Sequence, residues 1–203
     1  MIPRLLFMLT FALPLPASAG ALSDLLMAPR LFDTAPAGTR VAYAEERRVP
    51  EGGSLEGVAG GEVRLEVVAA GEGRELRLVR EEDGRSAPVG TFPAGVANPV
   101  LLYFLETTVK AMAEATGGSP YYIRNRIREA LGAAGLGPEG APREVTLTPF
   151  ADDANRARMG AFADLAIRLS FDPARPARIL ELSADTPAGG GGYHETLLLI
   201  AED

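Results

Sequence analysis

The chain has no cysteine among its 203 residues. That excludes a disulfide framework, a thiol nucleophile and a lipid-modified N-terminal cysteine. It has one histidine, His194, which is too few for a histidine-based zinc site. Any Ser/His/Asp apparatus would have to use that residue, and no Gly-x-Ser-x-Gly elbow occurs. The glycine run 189–192 is followed by Tyr193. It lacks the lysine and helix start of a phosphate loop. Beyond residue 20 the longest apolar run is 100–105, well short of the roughly 20 residues that span a bilayer, so no transmembrane anchor is expected. Basic charge is also in deficit, with 20 Lys and Arg against 27 Asp and Glu and a net charge of −7. Lys110 is the only lysine. An acidic protein is a poor general binder of phosphate backbones, so no nucleic-acid partner is expected.

What is present starts at the N-terminus. A short basic segment, Met1-Ile2-Pro3-Arg4, precedes the apolar run 5–13, the breakers Pro14 and Pro16, and Ala17-Ser18-Ala19. This order predicts a secretory signal peptide over residues 1–19, cut after Ala19. The expected mature protein, residues 20–203, is then one domain of the periplasm or the extracellular medium. Its length suits a single core without staples.

Hydrophobic periodicity divides the mature part into three. Ser23 is placed to cap a short helix through Leu25, Leu26 and Met27. Val41 and Tyr43 then alternate with Arg40 and Ala42, and a glycine-rich gap follows over 52–61. Strict alternation over 62–67 and again over 75–78 predicts half-buried strands joined by turns at Gly71 and Gly84. At Asn98-Pro99 the period lengthens. Leu101, Phe104, Leu105, Val109 and Met112 form one apolar helical stripe. Gly117-Gly118 stops it, Ser119-Pro120 restarts it, and Ile123, Ile127 and Leu131 form a second stripe. Strand alternation returns at Val145 and Leu147, at 165–171, at Leu180, Leu182 and Ala184, and at 193–201. Strands, then helices, then strands predict an α+β fold, with an antiparallel sheet packed on a central helical pair.

The C-terminal third, from Val145-Thr146-Leu147-Thr148-Pro149 through Asp172-Pro173 to the final hairpin, resembles the periplasmic lipoprotein carriers of the LolA and LolB type. The resemblance implies a curved, half-barrel-like sheet around helices, with a hydrophobic cavity for acyl chains. A lipid or lipoprotein partner follows from it. Independently of the resemblance, Leu101, Phe104 and Leu105 of the helical stripe are candidates for the apolar side of a ligand site between sheet and helices.

Among other candidates, Tyr121, Arg124 and Arg128 share a helical face whose basic and aromatic character suits a phosphate headgroup or an acidic envelope protein. Asp152, Asp153 and Asn155 put oxygen ligands in one loop, but EF-hand spacing is absent, and ordinary turn chemistry is the simpler reading. His194 beside Glu195 is read as a solvent-side strand residue. Glu181 and Glu195 are carboxylates on neighbouring strands. No catalytic residue, metal site or cofactor is assigned. The leading expectation is a non-enzymatic carrier of a hydrophobic ligand. The alternatives are an envelope interaction protein with a packed core and a hydrolase of unrecognised type. An apolar cavity of about 300 Å³ or more distinguishes a carrier from a solid interaction protein.

Overall fold

A computed structural model describes residues 20–51, 53–140, 142–187 and 192–203. The expected signal segment and most of the glycine run lie outside them. A short helix, α1 (Ala21–Leu26), leads into four strands, β1 (Arg40–Arg48), β2 (Val58–Ala70), β3 (Gly73–Glu82) and β4 (Arg85–Pro93). Helices α2 (Pro99–Thr116) and α3 (Pro120–Ala133) follow, then β5 (Arg143–Leu147), β6 (Ala166–Phe171), β7 (Ile179–Asp185) and β8 (His194–Glu202). The fold is α+β. All eight strands form one antiparallel sheet in the order β4-β3-β2-β1-β8-β7-β6-β5, and it does not close into a barrel. Two four-stranded meanders are thus joined along one seam, where the first strand meets the last. Among the described residues no helix is long and apolar enough to cross a membrane.

The helix start expected at Asn98 is present. Its side chain accepts from Val100 N–H at 3.0 Å, and Gly117 ends α2 in the left-handed conformation. Leu101, Phe104, Val109 and Met112 are buried, as the stripe requires, whereas Leu105 is only half-buried. Helix α2 lies on β2, β3 and β7, and α3 packs on α2 and α1 through Ile123, Ile127 and Leu131. The apolar sides of β1, β2, β3, β6 and β7 supply the facing layer, including Tyr43, Leu65, Leu78, Ile167 and Leu182.

Several local expectations are corrected. Helix α1 starts at Ala21 behind Gly20, and Ser23 sits inside it, where its carbonyl accepts the Met27 N–H. Strand β2 begins at Val58, within the glycine-rich gap. The segment Arg85–Pro93 is a strand although it carries Pro88 and Gly90. It is a sheet edge, where a missing N–H is tolerated. The second helix restart works without a side-chain cap from Ser119. Leu180 does not join the buried set of Leu182 and Ala184. The register between β6 and β7 shifts so that Phe171 faces Ile179 while Ser170 faces Glu181, leaving Leu180 in a bulge. At the other sheet edge, the loop before β5 lies against the strand. A Cβ on Gly137 would stand 2.6 Å from the Glu144 carbonyl oxygen, and its φ of 72° also demands glycine.

Candidate functional site

Inward-facing positions of β1 run Val41, Tyr43, Glu45, Arg47. The last two bring charge to the seam under α2. Arg47 lies opposite Glu195 across the β1–β8 ladder, and both Glu45 and Glu195 are fully buried. The Arg47 guanidinium joins them. Its Nε donates to Glu195 Oε1 at 3.1 Å, and its Nη2 donates to Glu45 Oε1 and, at 2.8 Å, to the Tyr103 hydroxyl. Tyr103 in turn donates to Glu45 at 2.7 Å. From β3, Arg80 donates to the other Glu45 oxygen at 2.6 Å. Tyr193 donates to Glu195, and Thr107 of α2 touches both of its oxygens. Gly61 of β2, paired with Glu45, makes the room. A Cβ there would lie 3.1 Å from Glu45 Oε2 and 2.9 Å from Val58.

The electrostatics follow from burial. Desolvation lifts the Glu195 carboxyl above the usual carboxylate range, and the attraction of Arg47 with the Tyr193 and Thr107 hydrogen bonds only partly offsets it. Burial works against a charged Arg47, but Glu195, Tyr103 and Glu45 more than restore it. Burial also raises the Tyr103 and Tyr193 phenols. This constellation was missed in the sequence. Its signal was the alternation of Val41 and Tyr43, which continues without a break into Glu45 and Arg47.

The basic face of α3 is tied down in part. Arg124 makes a two-point ion pair with Glu106 of α2 at 2.6 and 2.7 Å, and this holds the Glu106 carboxyl below its ordinary value. Arg128 reaches the Asn125 side chain at 3.3 Å, and Tyr121 is 72% exposed. Glu129 pairs with Arg126. Of the apolar candidates, Leu101 and Phe104 are buried core residues, and Leu105 is half-buried against the core. The Asp152 loop does not gather cation ligands. Asp153 accepts from the Tyr122 hydroxyl, from Arg126 and from the Asn155 N–H. Burial pushes the Asp153 carboxyl up, but these donors bring it below its ordinary value. Among the described residues no group of three acidic or histidine side chains could hold a metal ion.

His194 has partners the sequence did not reveal. Its Nδ1 lies 2.7 Å from Asp185 and its Nε2 3.2 Å from the Thr196 hydroxyl. The order resembles a nucleophile relay. It stands on the outer face of a central strand, however, whose N–H groups lie in the plane of two ladders. None points at that face as an oxyanion donor. Glu181 is exposed and lies opposite Leu198, so it does not pair with Glu195.

A cleft of about 260 Å³ opens where α2 ends and α3 begins. Met112, Ile123 and Met159 form its apolar floor, and Tyr122, Asn155 and Arg158 stand at its rim. Two short 3-10 turns, Arg156–Arg158 and Gly160–Asp164, carry Arg158 and Met159 to the helices. Arg158 is exposed and forms no ion pair among the described residues. No family model matches the chain, and no curated protein matches it.

Proposed function

We propose that the protein is a non-enzymatic binding protein of the cell envelope, and that it takes an anionic amphiphile on its surface, at the cleft between α2 and α3. The cleft itself is the observation that carries this reading. It offers adaptable methionine contacts for a short apolar segment, and beside them Arg158, which has no acidic partner among the described residues. The resemblance to lipoprotein carriers supports the hydrophobic character of the ligand. The place differs from the one that resemblance implies. The space between sheet and helices is taken up by Tyr43, Phe104, Met112, Leu182 and the Glu45–Arg47–Glu195 network. Against a hydrolase, Glu45 and Glu195 are fully buried, and the N–H groups of the strand that carries His194 are engaged in two ladders. Envelope localisation rests on the export signal expected in residues 1–19.

Native mass spectrometry of the mature protein, purified from its own envelope, tests the reading. An adduct of amphiphile mass is expected on the wild type and not on Met159→Trp, whose indole fills the cleft. A protein with no adduct, and no affinity for added dodecyl phosphate, would overturn it.

A further inference from the structure

One face of α3 is left over when the cleft is accounted for. Tyr121 and Arg128 stand seven residues apart, which puts them within about 20° of each other around the helix and about 10 Å apart along it. Both are exposed, Tyr121 at 72%. The opposite side of the helix, through Ile123, Ile127 and Leu131, is the one that packs on α1 and α2. The N-terminal end of the exposed face adjoins the cleft, since Ser119 and Tyr122, which flank Pro120-Tyr121 in sequence, both line it.

The charge of this helix runs against that of the chain. Over Pro120–Ala133 it carries Arg124, Arg126 and Arg128 against Glu129 alone, in a protein whose net charge is −7. Arg124 is met by Glu106, and Arg126 by Glu129 and Asp153. Arg128 acts on Glu106 from a distance, but Arg124 takes both oxygens of that carboxylate. Among the described residues the hydrogen-bond partner of Arg128 is the Asn125 side chain, and Arg158 at the cleft rim forms no ion pair. An exposed tyrosine flanked by two such guanidinium groups suits the headgroup layer of a bilayer. The phenol sits with its ring toward the acyl chains and its hydroxyl in water, while the arginines meet phosphates.

A lipid surface fits this face better than an acidic protein because of where the cleft's ligand resides. Each methylene of an amphiphile raises its preference for a bilayer over water about fourfold, so the bilayer is the reservoir. We propose that Tyr121, Arg128 and Arg158 form a docking surface for anionic phospholipid bilayers, which sets the cleft mouth against the lipid so that the amphiphile passes directly between the two. The inference rests on the cleft as the amphiphile site. One aromatic side chain and two cations make a reversible contact, and its electrostatic part weakens with salt.

Flotation tests the docking. The mature protein is mixed with vesicles of phosphatidylglycerol and phosphatidylcholine in equal parts, or of phosphatidylcholine alone, and floated through sucrose at low and at physiological salt. The wild type should float with the anionic vesicles, and more weakly with the neutral ones or at the higher salt. Arg128→Ser should bind the anionic vesicles about fivefold more weakly, and Tyr121→Ser should lose most of the binding. Both side chains are exposed, so circular dichroism should show the fold unchanged. A wild type that stays behind, or either variant floating as the wild type does, would overturn the docking surface. Dodecyl phosphate titrated without vesicles separates the two readings. Tyr121→Ser should bind it as the wild type does, because Tyr121 does not line the cleft; loss of both kinds of binding in this variant would overturn a separate docking face. Dodecyl phosphate binding without flotation sinks the docking alone. Flotation that needs Tyr121, without dodecyl phosphate binding, sinks the cleft reading and leaves the docking face standing.

Discussion

Replacing Arg47 by methionine keeps most of the stem volume and removes the buried guanidinium. Its losses can be worked out from the contacts. Among the described residues, Glu45 loses one of its two arginines, Glu195 loses its one cationic partner, and Tyr103 loses a donor. Arg80 and Tyr103 still reach Glu45, so the carboxylate is weakened in its pairing and not abandoned. Breaking a buried ion pair by removing one partner costs about 3–5 kcal/mol. That is a large share of the roughly 5–15 kcal/mol by which domains are stable. Urea melts followed by far-UV circular dichroism should show it. With a slope of about 2 kcal/mol per molar, the midpoint falls by about 2 M and the slope stays constant. Adding Glu45→Gln to Arg47→Met removes the charge left behind and should recover at least about 1 kcal/mol. A loss below about 1 kcal/mol for Arg47→Met, or no recovery in the double variant, would refute the description of this network as a coupled buried pair.

Other perturbations probe other parts of the fold. Phe104→Ala empties a fully buried site on the sheet-facing side of α2 and should cost about 3–5 kcal/mol in the same melts; a cost under about 1 kcal/mol would mean the helix does not bury that face. Gly61→Ala pushes a methyl toward Val58 and Glu45 and should cost about 1–3 kcal/mol, whereas Gly60→Ala, with open space around it, should cost less. The pH dependence has a defined sign. Unfolded Glu195 loses its proton near the ordinary value of 4.5, while the folded form holds it at a raised one. Between those two values the native state binds more protons, so stability falls as pH rises, by about 1.4 kcal/mol per unit for one proton. Glu195→Gln should remove that slope, and melts of both proteins from pH 4 upward will show whether it does.

Much of the architecture was legible because its signals are local. Alternation over 62–67 marks β2, and the cap at Asn98 with the stripe through Met112 marks α2, since each depends on neighbours within a turn or two. Strand β4 was not, because Pro88 and Gly90 mimic a loop and only its position at a sheet edge makes them acceptable. Leu180 was misplaced by a bulge, which shifts the two-residue period without leaving a mark in composition. The buried network was hidden for a different reason. A period-2 reading expects apolar residues inward, and Glu45, Arg47 and Glu195 keep the period while reversing the polarity. The acid that meets Arg124, Glu106, could not be named from the sequence because it is on another helix. The cleft depends on tertiary placement throughout, since Met159 and Arg158 reach Met112 and Ile123 only through the two 3-10 turns.

Surface binding at the α2–α3 cleft is tested most directly by methyl NMR of methionine-labelled mature protein, titrated with dodecyl phosphate below its micelle concentration. Met112 and Met159 lie in the cleft. Met27 ends α1, which meets the far end of α3 through Leu22 and Ala134, and serves as the internal control. The account predicts saturable shifts of the Met112 and Met159 methyls with Met27 unmoved, and their loss in Arg158→Glu. Shifts confined to Met27, or none at any methionine, would contradict it.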